Sequence, residues 1–185
     1  GSLNSNINGI QNTAVGILSL EKSVGVSYNT AIGSEALRNT VSGESNTATG
    51  ASALKSNISG SYNSAFGRNA LAASTANFNN AAFGAETLSQ NVANNNTAFG
   101  AYSLQINTTG YSNTAVGIGA MKFHTTGNDN VAVGVNAGLF QSNQTTGSSN
   151  TAIGAFAEYG SANLSNATVI GSGATVSASN SIRLG

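Results

Sequence analysis

Asn113-Thr114-Ala115-Val116-Gly117 is one copy of a five-residue motif that returns along the whole chain. It appears as Asn12-Thr13-Ala14-Val15-Gly16, Asn29-Thr30-Ala31-Ile32-Gly33 and Asn46-Thr47-Ala48-Thr49-Gly50, and onward to Asn150-Thr151-Ala152-Ile153-Gly154. Two looser copies follow, ending at Gly171 and Gly185. The closing glycines are separated by 17, 17, 17, 17, 16, 17, 17, 20, 17 and 14 residues. A fixed period with one short motif per unit is the signature of a solenoid, in which each unit buries its apolar side chains only against its neighbours.

The period constrains the local structure as well. Alternation within the motif is that of a strand, so Thr13 and Val15 share one face and Ala14 takes the other. The position before the glycine reads Val15, Ile32, Thr49, Phe66, Phe83, Phe99, Val116, Val133, Ile153, Ile170 and Leu184, and is expected to be a core column, with Phe66, Phe83 and Phe99 stacked inside it. On that assignment Thr points inward too, and the uniform alanines from Ala14 to Ala152 face a closely packed partner. A second apolar column lies four residues after each glycine, from Leu20 through Leu104 to Met121. Further glycines precede the motif glycine by seven residues, at Gly9, Gly43, Gly60, Gly110, Gly127 and Gly147, and mark turns. The motif asparagines have two readings that stand side by side: a stacked amide ladder, or turn residues tolerant of left-handed geometry. Helical periodicity is absent, and no six-residue sub-period points to a hexapeptide β-helix.

The expected fold is therefore all-β, a parallel β-roll (β-solenoid) of about eleven coils. Residues 1–9 read as a polar lead-in in which Gly1-Ser2 looks like an expression scar. Residues 10–134 hold the regular 17-residue repeats. Residues 135–185 are looser, with Gly138, Glu158 and Thr175 in place of the second-column Leu. One coil offers little apolar surface against roughly 1–2 kcal/mol of backbone entropy per ordered residue. Such a coil needs neighbours above, below and beside it, which argues for an oligomer.

Composition narrows the function. Charged residues make up 6% of the chain, against about 25% in ordinary globular proteins, and the formal net charge is zero. A basic surface for nucleic acid is missing, and no apolar run is long enough to span a bilayer. There is no cysteine, one histidine (His124) and one aspartate (Asp129). Acids are scattered, and the aspartates that calcium-binding β-rolls repeat in every turn are absent. We therefore expect no catalytic residues, no metal and no cofactor, and a non-enzymatic role. His124 reads as a solvated loop residue. Aromatic platforms are what protein and glycan receptors favour. Candidate receptor contacts are accordingly Tyr102, Tyr111, Phe140 and Tyr159, with Lys122-Phe123-His124 as the one basic-aromatic cluster.

The Asn-Thr-Ala-x-Gly unit with Ala-Leu shortly after it resembles the head repeats of trimeric autotransporter adhesins, the YadA-like head. Thr168-Val169-Ile170-Gly171-Ser172-Gly173-Ala174 and Asn180-Ser181-Ile182-Arg183-Leu184-Gly185 carry the resemblance most closely, at that family's 14-residue period. The 17-residue version is also similar to repeats in phage-type tail fibres. The resemblance implies a left-handed roll, a homotrimer around one axis, and display on a bacterial cell surface or a virion. It further implies an adhesive or shaft role toward a host-cell surface protein or glycan receptor. An alternative expectation, from the threonine column on an uncharged rod, is an ice-binding or purely structural spacer solenoid.

Overall fold

The computed structural model describes residues 1–139 and 145–185. Among these there are thirteen short strands and no helix. Eleven of the strands form one parallel sheet. They are β1 (Thr13–Val15), β2 (Thr30–Ile32), β3 (Thr47–Thr49), β4 (Ser64–Phe66), β5 (Ala81–Phe83), β6 (Thr97–Phe99), β7 (Thr114–Val116), β8 (Val131–Val133), β9 (Thr151–Ile153), β11 (Thr168–Ile170) and β13 (Ile182–Leu184). Each motif pairs with the next in register, Ala31 against Ala48 and Ala48 against Ala65. The remaining two, β10 (Glu158–Tyr159) and β12 (Thr175–Val176), pair with each other on another side of the coil. The molecule is a parallel β-solenoid of about ten turns with a period near 17 residues. The lead-in follows the same path: Leu3 donates its amide to Ser19 and packs against the core.

The alternation within each strand is as expected, but the assignment of its two faces is reversed. The alanines from Ala31 to Ala152 are fully buried and form the core together with Leu20, Leu37, Leu54, Leu71, Leu88, Leu104 and Met121. The column from Val15 to Leu184 points outward: Ile32 is 41% exposed, Phe99 42% and Val133 38%. Thr30, Thr47 and their equivalents share that outer face and are half-buried rather than inward. The physical reason is width. A coil of about 17 residues encloses a space that is filled when Leu meets two alanines, so a Val or Phe on the inner face would not fit.

Two adjacent inward residues, Ala36 and Leu37, cannot both face inward on an extended strand. The chain achieves it by placing the leucine in the left-handed region, with φ of 50° at Leu37, 53° at Leu71 and 47° at Met121. A bulky residue there is strained by about 1–3 kcal/mol, a cost offset by burying the whole side chain between identical neighbours. In the last coils the device is dropped. Ala157, Glu158 and Tyr159 alternate in, out, in along β10, and Ala174, Thr175 and Val176 repeat this along β12.

The motif asparagines form a ladder. Each Oδ1 accepts the backbone amide of the next motif asparagine, from Asn12 to Asn29 at 2.9 Å through to Asn130 to Asn150 at 3.0 Å. Their amide nitrogens donate to carbonyls of the turn above, as Asn46 Nδ2 does to Gly60 at 2.8 Å. It is the residue before the asparagine that takes positive φ, for example Tyr28 at 63° and Ser45 at 57°, so the ladder rather than tolerance of a turn explains these positions. The motif glycine is required by stacking as well as by φ. At Gly33, with φ of 133°, a Cβ would lie 2.6 Å from the carbonyl of Gly50.

Candidate functional site

Three outward features follow from this architecture. The first is the outer face of the eleven-stranded sheet. Because the strands are in register, one apolar side chain per coil forms a continuous stripe from Val15 to Leu184, interrupted by Thr49. At its middle Phe66, Phe83 and Phe99 stack with ring centroids 4.6 and 4.5 Å apart and interplanar angles of 10° and 3°. These rings are on the surface, not in the core as expected from the sequence. A stripe of this length is far larger than the isolated apolar residues normal on a soluble monomer.

The second feature is the basic-aromatic cluster. Lys122 Nζ lies 5.1 Å from the Tyr102 ring centroid and 5.3 Å from that of Phe123, within cation–π range of both. Tyr102 is 40% exposed and is carried on the second residue after Gly100, whereas Lys122 comes from the following coil. Of the predicted contact residues, these three are brought together. Tyr111 is exposed elsewhere, on the turn preceding Asn113, where its amide donates to Asn128 Oδ1 at 3.0 Å.

Two of the remaining candidates are buried, not exposed as expected. His124 is not a solvated loop residue: it is buried at 2% exposure, with Nδ1 2.9 Å from Thr145 Oγ1 and Nε2 2.9 Å from the Gly127 carbonyl. Burial pushes its pKa down, partly opposed by the Gly127 bond. Tyr159 is buried as well. Its ring lies near Gly138, where a Cβ would fall 2.9 Å from Met121 Cγ and 3.5 Å from the Tyr159 ring, so the missing leucine at 138 makes room for the tyrosine of the next coil. Burial raises the Tyr159 pKa well above the usual range, and its hydroxyl has no hydrogen-bond partner among the described residues. Phe140 lies outside the described residues.

The third feature is a flank carrying half of the charged side chains. Arg38 bridges Glu21 at 2.7 Å and Glu35 at 2.9 Å, Lys55 meets Glu35 at 2.6 Å, and Arg68 meets Glu86 at 2.7 Å. The Lys55 hydrogen bond lowers the Glu35 carboxyl below its ordinary value despite some desolvation. All but the Arg38–Glu35 pair join successive coils, and such surface pairs are each worth little on their own. Beside them a cleft of about 410 Å3 runs between Lys22, Asn39, Val41, Ser56, Ile58 and Thr75. Among the described residues no group of three or more His, Cys, Asp or Glu could hold a metal ion.

The sequence reading missed the outer stripe as a surface, although its signal was present. The inner column is held to alanine, whereas the outer one ranges in size from Thr to Phe, as only an open face permits. Compared with known proteins, the chain matches no family model and no curated sequence.

Proposed function

We propose that the protein is a segment of a homotrimeric surface or tail fibre. It would act in adhesion or receptor recognition, or as the shaft that displays a binding tip. The observation that carries this reading is the apolar outer face, broken only at Thr49, with Ile32, Phe66, Phe99, Val133 and Ile153 each 36–42% exposed in the single chain. Burying such a stripe against copies of itself removes it from water at about 25 cal/mol per Å2. Parallel copies place identical side chains at identical heights, because each coil contributes one. On this reading the chain forms a left-handed roll, three copies share an axis, and the Tyr102–Lys122–Phe123 cluster and the turn aromatics face outward toward a host-cell protein or glycan. The location is the outside of a bacterial cell or a virion.

The test is to replace Phe83 and Ile32 by Asp. We expect the double variant to keep its β-rich circular dichroism, lose its oligomer, and lose binding to host cells. A variant that retains both oligomer and binding overturns the reading.

A second reading has one observation in its favour. The threonines of β2, β3, β6, β7 and β9 lie outward in register on a flat sheet, where an ice-binding surface needs them. Ser64, Ala81 and Val131 interrupt the column, which weakens it. Measurable thermal hysteresis would favour it, and none would remove it.

A further inference from the structure

The seventh residue after each motif glycine from Gly16 to Gly117 points inward. Ser23, Thr40, Asn57, Ser74, Asn91, Asn107 and His124 form this buried polar column. Where the residue is asparagine, its Nδ2 donates to a carbonyl of its own turn, Asn57 to Gly60 at 3.0 Å and Asn107 to Gly110 at 2.7 Å. His124 makes the same bond through Nε2, to Gly127 at 2.9 Å. A carbonyl only accepts, so Nε2 carries the proton and Nδ1 keeps a lone pair. That lone pair takes the hydrogen of Thr145 Oγ1 at 2.9 Å. Asn130 Nδ2 lies 3.2 Å from Nε2, but directs its hydrogens to Asn113 Oδ1 and the Gly147 carbonyl, each at 3.0 Å.

Unlike the asparagines of its column, His124 can take a second proton. Its partner Thr145 belongs to the coil with the 20-residue step. Thr145 donates its amide to Phe123 at 3.0 Å and accepts that of Thr125 at 2.9 Å, so the residue bonded to the imidazole also holds the backbone junction of two coils. A hydroxyl accepts as well as donates, so protonation at Nδ1 turns the Thr145 bond round and leaves a positive charge inside the coil. We infer that His124 is an acid-sensitive latch whose protonation reverses its bond to Thr145, places an unpaired charge in the buried column and loosens the junction between the coils ending at Gly134 and Gly154.

Among the described residues no charged group is hydrogen-bonded to the ring. The polar partners of the ring are Gly127, Asn130 and Thr145, with Asn107 in the same column one coil before, and none of them titrates. Lys122 is turned away over Tyr102 and Phe123, and Asp129 is exposed. Residues 140–144 carry no ionisable side chain. Burial depresses the pKa of the folded state below the ordinary 6.5. The unfolded or opened state therefore binds the proton more readily. The junction has its full stability above the ordinary value and loses it as pH falls from there toward the depressed one.

The test is hydrogen exchange of the Thr125 and Thr145 amides at about pH 7.5 and about pH 5, corrected for the intrinsic pH dependence of exchange. Wild type should lose protection by about tenfold or more at the lower pH, while amides of β3 to β5 hold theirs. His124→Asn restores the column's usual residue and should abolish the response. Unchanged wild-type protection, or the same acid response in His124→Asn, would overturn the latch. Should that variant fold poorly, the imidazole can be titrated directly by NMR in the wild type. A depressed pKa, with the Thr145 amide shift following the ring, supports the latch. A normal pKa or an indifferent Thr145 contradicts it.

Discussion

Ala65 and Phe66 are neighbours in β4, yet one is sealed inside the coil and the other stands at the surface. The same contrast repeats along the eleven-stranded sheet. On the inner face the side chain is fixed at Ala in every strand from β2 to β9, because the leucines opposite, and Met121 and Tyr159 after them, leave space for nothing larger. On the outer face the side chain changes from Val to Ile, Thr, Phe and Leu while remaining mostly apolar. The difference teaches that the two faces answer to different constraints. The interior is limited by volume, whereas the exterior admits every size from Thr to Phe.

Breaking the inner face should have the largest effect. Leu71→Ala empties a fully buried position of the leucine column and should destabilise the fold by about 2–5 kcal/mol, read from the denaturant midpoint. Ala82→Leu tests the volume limit from the other side, and should cost about 1–3 kcal/mol through overpacking against the coils on either side. Asn63→Ala removes the acceptor for the Asn80 amide and the donor to the Asn77 carbonyl. Leaving those groups buried and unpaired should cost about 1–3 kcal/mol. The smallest effect on the fold belongs to the outer face. Phe83→Asp should destabilise the protomer by about 1–2 kcal/mol, through the loss of its stacking on Phe66 and Phe99, while weakening association strongly. A Phe83→Asp variant that unfolds instead would mean that the stripe supports the coil itself, and would erase the distinction between the faces.

Much of this was legible in the sequence. The period gave the coils, and the glycine and leucine columns gave the corner and half of the core. Alternation in the motif separated two faces but could not say which was inside, and hydrophobicity pointed to the wrong one. Val116 is more apolar than Ala115, so a ranking by residue type places Val in the core. Invariance of size was the better guide, because a closed interior tolerates one volume only. The left-handed φ at Leu37 and its equivalents was not legible, since nothing about leucine announces a conformation it seldom adopts. His124 was misplaced for another reason. Read as an isolated histidine in a polar stretch it looks solvated, whereas counted from Gly117 it falls in the column of Asn57 and Asn107 and is inside. Tyr159 was hidden by the change from a leucine turn to the β10–β12 pair, which shifts the inward position by one residue.

The central claim is that the outer face is covered by copies of the same chain. Light scattering on the purified protein tests it most directly. The account predicts a mass near three times 18.3 kDa, lowered toward one chain by Phe83→Asp. A single-chain mass for the wild-type protein, with the apolar stripe open to water and the fold intact, would contradict it.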